Sequence, residues 1–231
     1  MTLAARKIRL LMELRRNGIT DTAVLRAIEQ VPREAFVPAP FLDQAYENLA
    51  LPIERGQTLS QPQVVARMTQ ALAAAGAGKV LEVGTGSGYQ TAVLSRLCRR
   101  VYSVERYREL VGDAERRFRA LKLHNIVPRV GDGWNGWPEQ APFPRIIVTA
   151  AAPDVPGALV DQLAEGGVLV VPVGGRSRRQ ELLRLTKENA TVREETLGPV
   201  RFVPLVSGVP EEAPKPAGRI QYSGPPGWSL A

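Results

Sequence analysis

A glycine-rich segment, residues 82–88, carries the clearest chemical signal in the sequence. It reads Glu-Val-Gly-Thr-Gly-Ser-Gly and follows a short run of β-forming residues. Glycines at this spacing, between a buried strand and a helix, let the backbone approach a ligand with its N–H groups exposed. Tyr89 stands where a dinucleotide fingerprint needs glycine, and the Gly-Lys-Ser/Thr ending of a phosphate loop is absent. The segment therefore predicts a ligand-binding turn or, alternatively, a tight strand-to-helix connection without a ligand.

Two further carboxylates follow the next two predicted strands. Glu105 ends the run 101–105, and Asp132 lies in a Gly-Asp-Gly turn after 126–130. Adjacent strand ends of a Rossmann-like sheet face one crevice, where an acidic side chain accepts hydrogen bonds from both ribose hydroxyls. That role falls to Glu105, and Asp132 is expected near an adenine amino group. The three strand ends together predict a nucleoside ligand without phosphates, and an acidic residue before G-x-G-x-G is the pattern of S-adenosylmethionine-binding strands.

A parallel sheet must bring these groups together. Helices are predicted at 21–31 (capped by Asp21 or Thr20), from Pro62, and at 89–99, 108–121 and 156–163. Strands are predicted at 79–83, 101–105, 126–130, 145–149 and 167–173. This alternation predicts an α/β fold, a Rossmann-like doubly wound and mostly parallel sheet, with right-handed crossovers and an N-terminal helical segment. Two more runs, 181–186 and 200–206, are expected as antiparallel edge strands.

The same pattern predicts one domain. Residues 1–206 form it, with N-terminal helices and an active-site loop in 1–62 and the cofactor-binding sheet and edge strands in 63–206. The remainder, 207–231, is rich in proline and glycine and is expected to be an extended tail.

Several segments outside the glycine loop resemble the bacterial type of the protein-L-isoaspartate (D-aspartate) O-methyltransferase family. The most specific is 56–62, Gly-Gln-Thr-Leu-Ser-Gln-Pro, which matches the family's signature loop. The other matching segments are 31–38, 51–53, 141–143, 148–151, 172–174 and 200–205. The resemblance covers roughly residues 25–206. Three positions depart from it: Leu59 replaces the usual isoleucine, Asn48 a common aspartate, and Pro144 a common acidic residue.

The resemblance implies transfer of the methyl group of S-adenosylmethionine to the free α-carboxylate of isoaspartyl residues, with D-aspartyl residues as a possible second substrate. The methyl ester then collapses through a succinimide. A carboxylate is already ionised at neutral pH, so no general base is needed. Catalysis should depend mainly on holding the reacting atoms in line, about 3 Å apart. The expected site therefore consists of hydrogen-bond donors and backbone.

The resemblance also assigns residues to roles. Ser60 is the active-site residue, and Thr58 is the expected second donor; an N-cap for the following helix is the alternative role of Ser60. The expected cofactor-binding residues are Glu82, Gly84, Thr85, Gly86, Glu105, Asp132 and Gly133. The expected substrate-binding residues are Leu59, Phe202 and Val203.

Composition limits the other possibilities. The chain has 231 residues, of which 44% are hydrophobic and 23% charged, which is typical of a globular protein, and no apolar run is long enough to span a membrane. Cys98 and His124 are the only residues of their types, so we expect neither a disulfide framework nor a metal site. Since the N-terminus lacks the apolar core of a signal peptide, the cytoplasm is the expected compartment.

The net charge of +7 leaves an alternative open, namely an S-adenosylmethionine-dependent methyltransferase acting on RNA or a small molecule. The charges are scattered and only 6% of residues are aromatic, so no base-stacking surface is predicted. The sequence after the fourth strand, Thr-Ala-Ala-Ala-Pro, also lacks a nucleic-acid methyltransferase motif. A cofactor-binding module without activity is a further alternative. The main expectation is a monomer that acts on isoaspartyl-containing proteins and peptides, without nucleic-acid or membrane partners.

Overall fold

The computed structural model describes residues 2–175, 179–189 and 191–211. Within these residues the helices are α1 (Leu3–Arg16), α2 (Thr22–Gln30), α3 (Pro62–Leu72), α4 (Tyr89–Ser95), α5 (Arg108–Ala120) and α6 (Gly157–Asp161). The strands are β1 (Leu51–Pro52), β2 (Thr58–Leu59), β3 (Val80–Val83), β4 (Val101–Glu105), β5 (Ile126–Val130), β6 (Phe143–Val148), β7 (Leu163–Val173), β8 (Gln180–Glu188) and β9 (Thr191–Val200).

A mixed sheet in the order β5-β4-β3-β6-β7-β8-β9 forms the centre of the molecule. The strands from β5 to β7 are parallel, and β8 and β9 run antiparallel to their neighbours. Every residue of β3 is buried, as expected for a central strand covered by helices on both faces. The direction of winding reverses between β3 and β6, and this is where open α/β sheets bind their ligands. The predicted fold class is confirmed.

The N-terminal helices pack against one side of this sheet. Their core faces, Leu10 and Leu14 of α1 and Val24 and Ile28 of α2, join one cluster with the start of α3 and with Tyr89 of α4. The carboxylate of Asp21 accepts hydrogen bonds from the N–H groups at the start of α2, so Asp21 is the cap and Thr20 is not. This helical layer fixes the position of the β1–β2 hairpin beside the sheet.

The predicted strand at 200–206 is wrong. The edge strand is β9, and the chain then leaves the sheet and crosses the carboxyl end of β6. There the N–H of Ala151 donates to the Val203 carbonyl (2.8 Å), and the N–H of Leu205 donates to the Ala151 carbonyl (2.7 Å). Pro204 has no N–H for a ladder, whereas β9 is a polar, exposed strand whose sequence lacks a hydrophobic alternation.

The remaining differences concern element ends. The helix from Tyr89 stops at Ser95 and not near Arg99, and β7 begins at Leu163, inside the predicted helix 156–163. Most of the expected tail, 212–231, lies outside the described residues. In the part of the chain that the structure describes, no helix has the length and apolarity to cross a membrane.

Candidate active site

The glycine loop forms a tight turn at the carboxyl end of β3. Gly84 has φ +98°, and a Cβ there would lie 2.3 Å from Oγ1 of Thr149. That hydroxyl donates to the Gly84 carbonyl (2.6 Å), so the end of β6 braces the loop from the side. The backbone conformation and the close contact both require glycine. Thr149 is a supporting residue that sequence reasoning missed.

Glu105 lies at the end of β4, facing this loop. Its carboxylate accepts one hydrogen bond from the N–H of Gly86 (3.0 Å) and one from the N–H of Tyr107 (3.1 Å). Only 7% of the residue is exposed, and this burial raises the pKa of its carboxyl above the usual range. Because a carboxylate has about four acceptor positions, Glu105 can still accept from a ligand in the adjoining cavity. The structure thus brings Glu105 and Gly86 together, as the sequence predicts.

The walls of this cavity, which we call the cofactor crevice, come from the carboxyl ends of several strands. Its lining includes Gly84–Ser87, Glu105–Tyr107, Gly133, Thr149, Ala150, Thr58–Ser60 and Val203–Val206. The crevice therefore contains Gly84, Thr85, Gly86, Glu105 and Gly133 from the expected cofactor-binding set. Among the described residues of its lining, Glu105 is the one carboxylate, and it can accept hydrogen bonds from the hydroxyl groups of a nucleoside.

Glu82 does not line the crevice. Its carboxylate is fully buried behind the loop, where it accepts hydrogen bonds from the hydroxyls of Thr91 and Ser103. The Ser103 hydroxyl also lies 2.6 Å from that of Thr85, which links Glu82 to the glycine loop. Burial raises the pKa of Glu82 to about 8, so the carboxyl is mostly neutral at neutral pH. In this position Glu82 supports the loop from behind.

Asp132 is also set back from the crevice. Its carboxylate accepts from the N–H of Trp134 (2.9 Å) and from the N–H of Gly208 (2.7 Å). The neighbouring Gly133 lines the crevice instead, and a Cβ there would lie 2.5 Å from Cγ1 of Val83. Asp132 thus shapes the turn that brings the Gly133 backbone to the crevice.

Thr58, Leu59 and Ser60 enter the site from the β1–β2 hairpin. Alternation along the strand buries the Leu59 side chain (3% exposed) in the N-terminal cluster and leaves Thr58 exposed and Ser60 half-buried on the other side. Gln61 occupies the N-cap of α3, so the alternative cap role of Ser60 is wrong. The Ser60 hydroxyl therefore remains available to a ligand.

A second opening, which we call the outer groove, adjoins the crevice at these residues. It has a volume of about 950 Å³. Its walls are the start of α3, the crossing segment 199–204 and the side chain of Gln180. Thr58, Ser60 and Val203 line both openings, so they stand at the junction. Phe202 lines the groove. The side-chain amide of Gln180 accepts a hydrogen bond from the N–H of Phe202 (2.6 Å) and donates one to the Phe202 carbonyl (3.1 Å).

Arg33 is a supporting residue that sequence reasoning missed. It is fully buried, and its Nη2 donates to the Ser60 carbonyl at 2.8 Å. Its guanidinium lies over the ring of Tyr89, 4.7 Å from the centroid, while its Nε and Nη1 have no hydrogen-bond partner among the described residues. Burial lowers the pKa of this guanidinium. The only signal in the sequence is its place in the matching segment 31–38.

Asn48 shows why one departure from the family pattern is tolerated. Its Oδ1 accepts the N–H of Gln63 (3.0 Å) in the first turn of α3, as an aspartate oxygen could, and its Nδ2 donates to the carboxylate of Glu13 (2.7 Å), which an aspartate could not do. Its backbone carbonyl accepts from the Gln61 amide (2.8 Å). Asn48 therefore holds the active-site loop against α3.

Comparisons with known proteins agree with this geometry. A sequence model of the protein-L-isoaspartate(D-aspartate) O-methyltransferase family matches residues 5–210. A protein-L-isoaspartate O-methyltransferase from Rhodospirillum rubrum is 64% identical over 213 residues, which covers 91% of this chain and 97% of that protein.

Solved structures give the same result. A protein-L-isoaspartate O-methyltransferase superimposes with a TM-score of 0.79 at 31% identity; the match covers 87% of this chain and about two thirds (66%) of that one. A protein from Plasmodium falciparum described by the same activity, in complex with S-adenosyl-L-homocysteine, gives a TM-score of 0.77 at 27% identity, covering 87% of this chain and 98% of that one.

Proposed function

Since the chain belongs to the protein-L-isoaspartate(D-aspartate) O-methyltransferase family and is an S-adenosylmethionine-dependent methyltransferase, we propose that it methylates the free α-carboxylate of L-isoaspartyl residues in damaged proteins and peptides. The observation that carries this proposal is the place of Thr58 and Ser60. Their side of the hairpin stands at the junction of the cofactor crevice and the outer groove. A methyl group moving between the two openings must pass these hydroxyls.

The cofactor crevice fits the family's cofactor. Glu105 would accept the ribose hydroxyls, the Gly84–Gly86 backbone would follow the methionine part, and Gly133 would lie against the adenine. When bound, S-adenosylmethionine supplies a methyl group on a sulfonium, which is an excellent leaving group. Glu82 and Asp132 act indirectly in this proposal, because their carboxylates are engaged behind the crevice.

On the substrate side, the chain holds an anion and needs no base. Ser60 and Thr58 would donate hydrogen bonds to the α-carboxylate, and the backbone of Phe202 and Val203 would enclose the isoaspartyl residue. Arg33, whose guanidinium fixes the Ser60 carbonyl, would keep the hairpin in place. Holding the reactants in such an orientation can supply about 7–11 kcal/mol of a barrier. Leu59 lines the crevice, but its side chain packs in the N-terminal cluster, so it would contribute mainly through its backbone.

The proposal includes three finer points. The chain acts as a monomer of one domain over residues 1–206, it works in the cytoplasm, and it does not need nucleic acid. The single domain is supported by the family match over residues 5–210, and the independence from nucleic acid by the scattered positions of the charged residues in the sequence. Light scattering on the purified protein, with and without RNA, tests the monomer and the independence from nucleic acid. Fractionation of cells that express the full chain tests the cytoplasmic location.

The decisive experiment uses methyl-labelled S-adenosylmethionine and two synthetic peptides that differ only in one isoaspartyl or normal aspartyl linkage. Base-labile label on the isoaspartyl peptide alone is the expected result. No label on either peptide, with the cofactor still bound, would overturn the proposal and direct the search to RNA and small molecules. A third peptide with a D-aspartyl residue tests the second substrate.

Two substitutions test the roles of the residues. Ser60→Ala should lower turnover more than cofactor affinity, because it removes a donor to the substrate. Glu105→Ala should do the opposite, with a cofactor Kd about 10–100-fold higher, since hydrogen bonds to charged groups contribute about 1.5–3 kcal/mol. Equal cofactor affinity in the wild type and Glu105→Ala would remove the ribose assignment.

A further inference from the structure

The outer groove is larger than one isoaspartyl residue requires. At about 950 Å³ it lies at the top of the range of whole small-molecule sites, about 300–1,000 Å³. It is an open groove that begins at Ser60 and continues between the first two turns of α3 and the crossing segment. A substrate carboxylate held at Ser60 would leave most of the groove to the residues on either side of it.

The charge of the groove has one sign. Among the described residues, its lining contains Arg67, Arg179 and Arg201 and no aspartate or glutamate. Arg179 is neutralised from outside the lining by Glu181, at 3.0 Å. Arg67 instead donates to the neutral carbonyls of Leu197 (3.4 Å) and Gly198 (3.2 Å), and it has no ion pair with any described residue.

Arg201 completes this arrangement at the rim. It is exposed, and no carboxylate among the described residues pairs with it. The next residue, Phe202, is held by both its N–H and its carbonyl to the side chain of Gln180. The backbone that carries Arg201 is therefore fixed, and Arg201 is part of the groove lining.

We propose that the outer groove binds the peptide segment flanking the isoaspartyl residue and selects acidic side chains there, with Arg201 and Arg67 as the determinants. This inference rests on the proposed function. Two uncompensated cations next to an anion-binding site favour a second and a third negative charge along the same segment. Because Arg201 is exposed, its attraction should be modest per pair and should weaken with salt.

The test uses three labelled-methyl assays on isoaspartyl peptides of equal length, whose flanking residues are all glutamate, all glutamine or all lysine. We expect kcat/KM for the glutamate peptide to exceed that for the lysine peptide about three- to tenfold at low salt, mainly through KM. At 0.5 M salt the ratio should fall below about twofold.

Substitutions assign the effect to the groove. Arg201→Gln and Arg67→Gln should each reduce the ratio of kcat/KM for the glutamate peptide to that for the lysine peptide at least twofold. Arg201→Lys keeps the positive charge, so its ratio should equal that of the wild type. Arg193→Gln is the matched control, because Arg193 is exposed on the neighbouring β9 outside the groove. It should leave the ratio unchanged.

Each outcome separates this inference from the proposed function. Equal kcat/KM for all three peptides would overturn the acidic preference while the methylation activity stands. A preference that persists in both groove variants, or that Arg193→Gln removes equally, would overturn the assignment to the groove. Failure to methylate any isoaspartyl peptide would overturn the proposed function itself.

Discussion

The cofactor crevice and the outer groove meet at Ser60, yet they are built in different ways. In the crevice, polar side chains are paired with backbone from neighbouring strand ends, as in the bonds from Gly86 and Tyr107 to Glu105. In the outer groove Arg201 is exposed and Arg67 donates only to backbone carbonyls, and neither has a carboxylate partner among the described residues. The crevice is thus organised before its ligand arrives, whereas the groove leaves its charges to be paired by the substrate.

This difference follows from what each opening has to recognise. The crevice holds one ligand, so close backbone contacts and glycines at tight positions are useful. A repair enzyme meets isoaspartyl residues in many sequences, and long-range attraction tolerates such variety better than close packing does. The two openings should therefore respond differently to substitution, and the largest effects are expected in the crevice.

Gly84→Ala should cause the largest loss. The new Cβ would lie 2.3 Å from Thr149 Oγ1, at a φ of +98°. Backbone strain of about 1–3 kcal/mol and overpacking of about 1–3 kcal/mol together predict a fall of about 2–6 kcal/mol in the free energy of unfolding. Cofactor affinity should fall with it. Thermal unfolding and cofactor titration measure both.

The control for this substitution is Gly157→Ala, where a Cβ would have open space and φ is not in the left-handed region. Its melting temperature should change little. A Gly84→Ala protein with wild-type stability and cofactor affinity would mean that the crevice is no more tightly built than the groove.

Arg33→Met should separate the two openings functionally. It removes the hydrogen bond from the guanidinium to the Ser60 carbonyl, at 2.8 Å. Charge-assisted bonds contribute about 1.5–3 kcal/mol, which predicts a 10–100-fold lower kcat/KM on an isoaspartyl peptide. Cofactor Kd should stay within about twofold, because Arg33 does not line the crevice. Steady-state kinetics and cofactor titration give the two numbers.

The stability of this variant is a second readout. Arg33 is a buried cation without a carboxylate partner among the described residues, so replacing it with an apolar side chain also removes a desolvation cost. We expect the free energy of unfolding to remain close to that of the wild type. A parallel loss of stability, cofactor affinity and activity would show that Arg33 supports the whole fold and not the hairpin.

Glu82→Gln should change how stability depends on pH. The pKa of Glu82 is about 8 in the folded protein and near its ordinary value when unfolded. The folded state therefore keeps this proton between about pH 4.5 and pH 8 while the unfolded state has lost it, and wild-type stability falls as pH rises through this window. Glutamine imitates the neutral form, so the stability of the variant should not fall in this way as pH rises.

Raising the pH from 6 to 8 should therefore lower the free energy of unfolding of the wild type by about 2 kcal/mol relative to the variant. Urea unfolding at both pH values measures it, with Glu29→Gln, a change at an exposed glutamate of α2, as the control. Identical pH slopes in the wild type and Glu82→Gln would mean that the buried carboxyl stays ionised and pairs more strongly than its contacts indicate.

The crevice could be predicted from local patterns, whereas Thr58, Ser60, Phe202 and Val203 of the groove were expected only through the resemblance to the family. The glycine loop and Glu105 are local motifs at the ends of consecutive strands, so periodicity alone places them together. Glu82 shows the limit even there, because the same pattern does not distinguish a residue lining the crevice from one behind it. The walls of the groove come from 61–67 and 199–204, which no local pattern relates.

Two residues of the groove side illustrate the physical reason. Arg33 has a charged side chain of the kind that is almost always exposed, and its burial depends on Tyr89 and on carbonyls distant in sequence. The apolar run 200–206 resembles a strand in sequence, but the structure buries part of it by a different arrangement. The run crosses the ends of other strands and does not join the sheet. Tertiary contacts therefore decide this half of the site.

Leu59→Ile should have the smallest effect, and it tests the division of the hairpin into two sides. The Leu59 side chain is 3% exposed and packs in the N-terminal cluster, while Thr58 and Ser60 face the openings. Exchanging similar apolar side chains usually lowers the free energy of unfolding by less than about 1.5 kcal/mol. We therefore expect kcat/KM of Leu59→Ile to change less than about twofold. Leu59→Ala, in contrast, should lower the free energy of unfolding by about 2–5 kcal/mol. Peptide kinetics and thermal unfolding of both variants decide the matter. A large rise in peptide KM at unchanged stability in Leu59→Ile would place this side chain against the substrate, and the substrate side would then depend on close packing just as the crevice does.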